Sequence, residues 1–411
     1  MPISDYTNLP EKRSPGRIAI KVKPAAERMV KKGHPWVFEN SIVSQNAEGE
    51  SGDLAIIFDQ KKNKFLACGF YDPHSPIRIK LLQFHQSAAI NEVWFAEKIS
   101  QAFSLRMPLL ATDTNSYRFI YGENDGLPGL IADAYDEVLV LKLYSAIWLP
   151  YLREILPALL TQSGCKTIVL RLSRSLIQSN EKGDLADGQV IFGKLDQEEI
   201  QFREHGLRFS ANVIHGHKTG FFLDQRNNRK KIGELARDKK VLDVFAYAGG
   251  FSVHALVGGA TEVTSIDISA NALEVARENA ALNPHKGIHH TKAVDAFEEL
   301  EAMARRKKTF DIVVIDPPSF AKRASEVEKA RRQYLRLARL GSQLVSPKGF
   351  LFLASCSSRV EADDFFDLCK EGIRASKRHF ELREKTFHDV DHPVGFPEGA
   401  YLKAGYWWRE R

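Results

Sequence analysis

The chain has 411 residues, of which 44% are hydrophobic and 27% are charged. This composition is typical of a folded protein of two to four domains, and it excludes disordered, collagen-like and disulfide-stapled chains. The four cysteines lie far apart without CxxC spacing, so we expect no metal site and a reducing compartment. No apolar signal segment is visible in Met1 to Pro15, and we therefore expect a cytoplasmic protein.

The net charge of +6, from 58 basic and 52 acidic residues, is small, but its distribution is informative. Arg17 to Lys32 contains six basic residues and one acidic residue, and Lys322 to Arg339 contains seven basic residues and two acidic ones. Such clusters suit the phosphate backbone of a nucleic acid. Taken alone, each is more typical of a solvated helix face.

The first half of the chain predicts two regions of different character. Residues 17–86 contain short strand-like runs, such as the alternating RIAIKV and the apolar DLAIIFD, which predict a small β-rich domain. Residues 87–205 predict a linker helix and a middle α+β domain. The helix is expected over Asn91 to Leu110, and its apolar positions are Val93, Phe95, Ile99, Phe103 and Leu110.

From residue 206 to 411 the sequence repeats a strand, a loop and a helix. Apolar runs that alternate with helices are typical of buried parallel strands, so this region predicts an α/β, Rossmann-like doubly wound sheet. Residues 244–261 hold no charged side chain apart from a histidine. Because four glycines interrupt that stretch, we interpret it as strand, loop and buried helix, and we expect no membrane association.

The ends of the predicted strands carry a series of acidic residues, and ligands bind at this edge of an open α/β sheet. Asp243 precedes the loop VFAYAGGF, Asp267 ends the next strand, and Asp295 follows a third. The spacing of the first two is close to that of a carboxylate that binds ribose hydroxyls. The loop lacks GxGxxG, which favours S-adenosylmethionine over a dinucleotide; the alternative is a glycine-rich turn beside a buried acid.

Two further strand ends carry groups suited to chemistry. Asp316-Pro317-Pro318 would hold a carboxylate at the mouth of the site, facing the N3 and N4 edge of cytosine or an amine to be methylated. Cys356 could add to carbon 6 of cytosine, which makes carbon 5 nucleophilic. The simpler alternatives are a strand-terminating turn and a small buried hydrophobe. The sequence shows no group that would activate the thiol.

The segment HKTGFFLDQRNNR precedes the first of these strands and has two equally supported interpretations. Gln225 or Arg226 could reach the tail of the methyl donor, with Phe222 beside it. Alternatively, Asp224 caps a helix that packs on the sheet.

Five segments together resemble the bacterial and archaeal ribosomal RNA methyltransferases that make 5-methylcytidine in large-subunit RNA. They are KTGFFLDQRNNR, LDVFAYAGGFSVHA, IDPPSFAK, ASCS and DHPVGFPEGAYLK. RIAIKVKPAAERMVKKGHPWVFENSI is similar to the PUA RNA-binding domain of that family, and YGENDGLPGLIADAYDE to its middle domain. The resemblance implies a PUA-like domain at 17–86, a middle domain at 87–205 and a class I methyltransferase domain at 206–411.

The resemblance also implies S-adenosylmethionine as cofactor, 23S ribosomal RNA as partner, and roles for individual residues. It places Asp316 and Pro318 against the cytosine and Cys356 as the nucleophile. Backbone contacts with RNA are expected from Arg28, Lys31 and Lys32. The implied donor-binding residues are Phe222, Gln225, Asp243, Phe245, Gly249, Gly250, Asp267, Asp295 and Pro317.

One departure limits the implied mechanism. Many RNA cytosine methyltransferases carry a second cysteine in the fourth-strand motif, where this chain has Asp-Pro-Pro. The base that removes the carbon 5 proton is therefore unassigned. The sequence also leaves open the target nucleotide, the choice between free RNA and a precursor particle, and the formation of a homodimer.

Two other functions compete with cytosine-C5 methylation. Asp-Pro-Pro followed by Phe320 is close to the motif with which amino-group methyltransferases hold an exocyclic amine, but Ser319 shifts the aromatic residue by one position. The second alternative is a non-catalytic RNA-binding assembly factor, which the retained strand-end acids disfavour.

Overall fold

The computed structural model describes residues 9–10 and 13–410. The chain divides into two compact units. The first extends to Glu204 and also includes Ala211–Leu223 and Val390–Gly399. The second comprises His205–Ser210, Asp224–Asp389 and the chain from Ala400 onward. Most of the amino-terminal stretch in which no signal segment is visible lies outside the described residues.

A six-stranded sheet with one helix forms the start of the first unit, in the strand order β2-β6-β5-β4-β1-β3. Alternate residues are buried in the strands at 17–22 and 54–58, whereas the strands at 65–71 and 77–84 have continuous buried runs. The helix was not predicted; it begins at a proline, which suits the first turn because that position needs no N–H donor. The elements are β1 (Arg17–Val22), α1 (Pro24–Lys31), β2 (Trp36–Phe38), β3 (Ile42–Gln45), β4 (Leu54–Phe58), β5 (Phe65–Tyr71) and β6 (Ile77–Phe84).

A five-stranded sheet in the order β11-β10-β9-β8-β7, with helices, completes most of the first unit. Its elements are α2 (Glu92–Leu110), β7 (Ser116–Tyr121), β8 (Leu130–Tyr135), β9 (Val138–Leu143), α3 (Leu152–Ser163), β10 (Thr167–Leu172), α4 (Arg174–Ile177) and β11 (Gln189–Phe192). Strands β12 (Glu199–Glu204) and β13 (Leu207–Asn212) lie where the chain passes from one unit to the other.

Helix α2 confirms the helix predicted over Asn91 to Leu110, but the predicted buried face is partly wrong. Asn91 caps the helix by accepting a hydrogen bond from a backbone N–H of its first turn. Val93 is 64% exposed and Leu110 is 46% exposed. Arg106 is buried instead, because Asp125 pairs with both ends of its guanidinium group at 2.9 and 2.6 Å.

A seven-stranded sheet in the order β16-β15-β14-β17-β18-β20-β19 forms the second unit. Five of the strands, from β16 to β18 in that order, are parallel, which confirms the Rossmann-like α/β fold. Strand β20 pairs in antiparallel orientation with both β18 and β19. Strands β19 and β20 were not predicted from the sequence. The elements are α5 (Arg226–Leu235), β14 (Lys240–Val244), α6 (Gly250–Val257), β15 (Glu262–Asp267), α7 (Ala270–Ala281), β16 (Ile288–Ala293), α8 (Ala296–Arg305), β17 (Phe310–Ile315), α9 (Val327–Leu344), β18 (Val345–Ser355), α10 (Ala362–Ala375), β19 (Phe380–Thr386) and β20 (Lys403–Arg409).

The uncharged stretch 244–261 is the end of β14, a loop and the buried helix α6, as predicted. Among residues 9–10 and 13–410, no helix combines the length and the apolar character needed to cross a bilayer. Four of the parallel strands, β14, β15, β17 and β18, are largely buried, as expected of strands covered on both faces, whereas the edge strand β16 has no buried residue. Their carboxyl ends are therefore held on a rigid support.

Candidate functional site

The loop between β14 and α6 has an unusual backbone. Three residues of this loop have backbone φ angles in the left-handed region, which residues other than glycine rarely adopt. The angles are 65° at Phe245, 48° at Tyr247 and 76° at Gly249. Gly249 is also required by space, since a Cβ there would lie 2.8 Å from the Cβ of Ala276 on α7. Backbone strain of this kind is commonly found at ligand-binding sites.

Asp243 lies at the base of this loop and is fixed by a chain of hydrogen bonds. Its Oδ2 accepts from the backbone N and from the hydroxyl of Ser252, at 3.1 and 2.6 Å. The Ser252 hydroxyl lies 2.6 Å from that of Ser265, which lies 2.8 Å from Nε2 of His289. Burial raises the pKa of Asp243 to about 6, and the Ser252 bonds oppose this increase.

The second carboxylate oxygen of Asp243 identifies the place where a ligand would bind. Oδ1 is buried and has no hydrogen-bond partner among the described residues. Leaving a buried carboxylate oxygen unpaired costs free energy, so a donor from a bound molecule would be favourable there. The cationic amine of S-adenosylmethionine would supply such a donor, and the site therefore fits this cofactor.

Asp267 links the end of β15 to the strained loop. Its Oδ2 accepts from the Tyr247 backbone N, and its Oδ1 accepts from the Ser269 N, both at 2.9 Å. Each oxygen keeps a second lone pair for a ribose hydroxyl. The next residue, Ile268, is 77% exposed, and its apolar side chain could cover the face of an adenine. Sequence reasoning missed Ile268; the signal was a large apolar residue directly after a strand-end acid.

Asp295 is exposed and caps helix α8, where its Oδ1 accepts from the Glu298 backbone N at 3.0 Å. It directly follows the Ala293-Val294 end of the strand that neighbours β15. Gly250 begins α6 and is buried. The predicted donor-binding acids therefore lie at the carboxyl ends of three adjacent strands, β14, β15 and β16.

Asp316 ends β17 and is half-buried. Burial, together with the nearby Asp224 carboxylate, raises its pKa to about 7, while the Gln225 amide and Arg229 lower it in part. A carboxyl group with this pKa is partly protonated at neutral pH and can donate a hydrogen bond. Gln225 is buried, and its Oε1 accepts from the Asn228 side chain at 2.6 Å.

Cys356 follows β18, and the structure brings it to the Asp-Pro-Pro segment. Its Sγ lies 3.8 Å from the carbonyl oxygen of Pro317, which is buried, whereas Pro318 is exposed. Cys356 is half-buried, unlike the other cysteines of the chain, which are buried. The alternative of a small interior hydrophobe therefore does not describe Cys356.

The remaining predicted residues lie in the first unit. The Phe222 ring is 4.6 Å from the Lys218 ammonium. Arg28 and Lys32 are exposed on α1 and directly after it. Lys31 is paired with Glu27 at 2.5 Å and with Asp59 at 3.3 Å, so part of its charge is already neutralised.

The second basic cluster is also partly neutralised, because two of its arginines on α9 form ion pairs. Arg331 pairs with Asp364, and Arg336 pairs with Glu301 at 2.7 Å. In the described part of the chain, no three His, Cys, Asp or Glu side chains come together as metal ligands.

Comparison with known proteins decides the family. Residues 127–401 match the model of the S-adenosylmethionine-dependent methyltransferases, and residues 20–84 match a PUA-like domain. The chain belongs to the S-adenosylmethionine-dependent methyltransferase family. S-adenosylmethionine is accordingly the cofactor of this methyltransferase, as the strand-end acids predicted.

Relatives and solved structures match this methyltransferase over nearly its whole length. A ribosomal RNA large subunit methyltransferase from Deinococcus radiodurans is 43% identical over 394 residues, covering 94% of this chain and 96% of the relative. Ribosomal RNA large subunit methyltransferase I from Shewanella denitrificans is 35% identical, with coverages of 94% and 98%. A solved methyltransferase from Streptococcus mutans has a TM-score of 0.80 at 20% identity, with coverages of 95% and 99%, and shares the fold.

Proposed function

We propose that this methyltransferase transfers a methyl group from S-adenosylmethionine to carbon 5 of a cytosine in 23S ribosomal RNA, through a covalent bond between Cys356 and carbon 6. The observation that carries the proposal is the position of the half-buried Cys356, whose Sγ lies 3.8 Å from the carbonyl oxygen of the residue that follows Asp316. The relatives named as ribosomal RNA large subunit methyltransferases support the RNA substrate.

The cofactor, when bound, supplies an electrophilic methyl group. The free Oδ1 of Asp243 is suited to accept from its amine, and the oxygens of Asp267 are suited to its ribose hydroxyls. Ile268 is suited to cover the adenine, and Asp295 would contribute on the adenine side. The strained loop at Phe245, Gly249 and Gly250 would contribute backbone donors and shape, and Gln225 and Pro317 would border the same space.

Carbon 5 of cytosine is a poor nucleophile, and the two reactive side chains change this. The Cys356 thiolate forms a bond to carbon 6, while the Asp316 carboxylic acid gives its proton to N3, so that carbons 4 and 5 become an enamine. Carbon 5 then takes the methyl group, and S-adenosylhomocysteine is left. A base takes the carbon 5 proton, the electrons of that bond restore the double bond between carbons 5 and 6, the thiolate leaves carbon 6, and the N3 proton returns to Asp316. A pKa of about 7 suits Asp316 to both transfers.

The base must leave its stack before Cys356 can reach carbon 6. Unpaired cytosines in loops need the least energy for this movement. The exposed Arg28 and Lys32 would hold the phosphate backbone, with Lys31 beside them, and Pro318 would contact the extruded base.

A comparison of Cys356→Ala with Cys369→Ala tests the proposal. Cys369 is buried in α10 and serves as the matched control. We expect nucleoside mass spectrometry of methylated 23S RNA to show 5-methylcytidine with the wild type and the control, and at least a thousandfold loss with Cys356→Ala. Calorimetry should show unchanged S-adenosylmethionine binding.

RNA containing 5-fluorocytidine tests the covalent step directly, because fluorine cannot leave as a proton does. We expect a gel-stable protein–RNA adduct that Cys356→Ala does not form. A wild-type methylation rate in Cys356→Ala would refute the covalent mechanism. An N-methylated nucleoside as the product would instead support the amino-group alternative.

A further inference from the structure

Lys403 begins β20 and is buried beside the turn that carries the proposed nucleophile. Antiparallel pairing of β18 and β20 places Lys403 directly opposite Ser355, the residue before Cys356. The Lys403 side chain is 2% exposed. Its Nζ donates to the carbonyl oxygens of Ser357 and Val360, which lie on either side of the turn after Cys356.

The hydrogen bonds of Lys403 identify its charge state. Besides Ser357, its Nζ contacts the carbonyl oxygen of Val360 at 2.5 Å and that of Tyr401 at 3.2 Å. Three acceptors match the three N–H donors of an ammonium group. A neutral amine has only two, so its lone pair would face a carbonyl oxygen. This geometry favours the charged form, although burial lowers the pKa of Lys403 to about 8.

Among the described residues, no carboxylate oxygen forms an ion pair with the Lys403 ammonium nitrogen within 4 Å. The ionisable groups that act on it electrostatically are Cys356 and the acids Glu361 and Asp364 at the start of α10. The electrostatic effect of Cys356 on Lys403 exceeds that of either acid. A buried cation without a carboxylate partner is stabilised when a neighbouring thiol ionises.

Two other ionisable groups near the thiol, Tyr334 and Asp316, do not stabilise a thiolate. Tyr334, on α9, accepts a hydrogen bond from the Ser355 hydroxyl at 2.8 Å, and Asp316 ends β17. Tyr334 interacts electrostatically with Asp316 and also with Cys356. Each becomes negative on ionisation and would oppose a thiolate.

We propose that Lys403 is the positioning residue that activates Cys356, by stabilising the thiolate and by fixing the turn from Cys356 to Val360 through its carbonyl contacts. This inference rests on the proposed role of Cys356 as nucleophile. The thiol proton passes to solvent, since all three N–H bonds of Lys403 are used. The lysine therefore acts through the cysteine and does not contact the RNA base.

The pH dependence of Cys356 alkylation by iodoacetamide tests this inference without RNA or cofactor. Mass spectrometry of the labelled peptide follows Cys356 alone. We expect the wild-type rate to rise with a midpoint below about 8.5, the ordinary value for a thiol. Lys403→Met should raise the midpoint by about one pH unit or more, which lowers the rate at pH 7 about tenfold. Lys403→Arg should retain most of the effect.

Lys240→Met is the matched control. Lys240 begins β14, at the opposite end of the sheet, and its ammonium lies 3.2 Å from Glu262. We expect no change in the midpoint for this variant. Two results would overturn the inference: an unchanged midpoint in Lys403→Met, or a wild-type midpoint at or above about 8.5. The second result does not depend on how well Lys403→Met folds.

The two proposals can fail separately. If Lys403→Met shifts the midpoint but the wild type makes no 5-methylcytidine, the activation stands and the proposed reaction falls. If Cys356→Ala abolishes methylation while Lys403→Met leaves the midpoint unchanged, the reaction stands and the role of Lys403 falls.

Discussion

Replacing Asp316 with asparagine should make the protein less active but more stable above neutral pH. The ordinary pKa of an aspartate is 3.8, and burial beside Asp224 raises that of Asp316 to about 7. The folded state therefore binds the proton more tightly than the unfolded state. The resulting destabilisation is absent below pH 3.8, grows as the pH rises, and is complete above about pH 7. Between pH 5 and pH 8 this destabilisation of the folded state increases by about 3 kcal/mol.

Urea unfolding of wild type and Asp316→Asn at pH 5 and pH 8 measures this difference. The asparagine keeps the shape of the side chain and cannot ionise, so the variant should gain about 3 kcal/mol relative to wild type between the two pH values. Asp367→Asn, on the exposed face of α10, controls for the loss of one negative charge. Equal pH dependence of wild type and Asp316→Asn would refute the argument that the fold holds a proton on this carboxyl group.

Three further predictions follow from the site and its surroundings. Asp243→Asn should weaken S-adenosylmethionine binding about tenfold or more in calorimetry, because a charged acceptor for the amine is lost; unchanged affinity would exclude this contact. Gly249→Ala should reduce the free energy of unfolding by about 2–3 kcal/mol in urea, from its φ of 76° and the 2.8 Å approach to Ala276; a neutral effect would show that the loop can relax. Replacing Arg28 and Lys32 together with alanine should lower the salt dependence of RNA binding by about two ion equivalents without affecting cofactor affinity; an unchanged slope would place the RNA elsewhere.

The sequence predicted the parallel part of the methyltransferase sheet mainly because its central strands, such as β17 and β18, contain long apolar runs. The acids at the strand ends could be located because a carboxylate that follows an apolar run indicates the end of a buried strand. Strands β19 and β20 were missed because their pairing is antiparallel and joins segments distant in sequence. The position of Lys403 opposite Ser355 depends on that register, which no local pattern contains.

Helix α2 shows a second limit of sequence reasoning. Its periodicity located the helix, but Val93 was predicted to be buried and Arg106 was not considered. An arginine can replace an apolar side chain in a core when a carboxylate satisfies its guanidinium group, as Asp125 does here. Periodicity of apolar residues alone cannot detect such a pair.

The placement of β20 between β18 and β19 has a consequence for biosynthesis. The ribosome makes β18 first and β19 next, yet these two strands are joined only through a strand that is translated later. Until residues 403–409 have emerged, the edge of β18 is an unpaired, apolar template for other chains. We therefore expect nascent chains stalled shortly before β20 to depend on chaperones, and the thiol to gain its buried ammonium neighbour only after this strand has emerged from the ribosome.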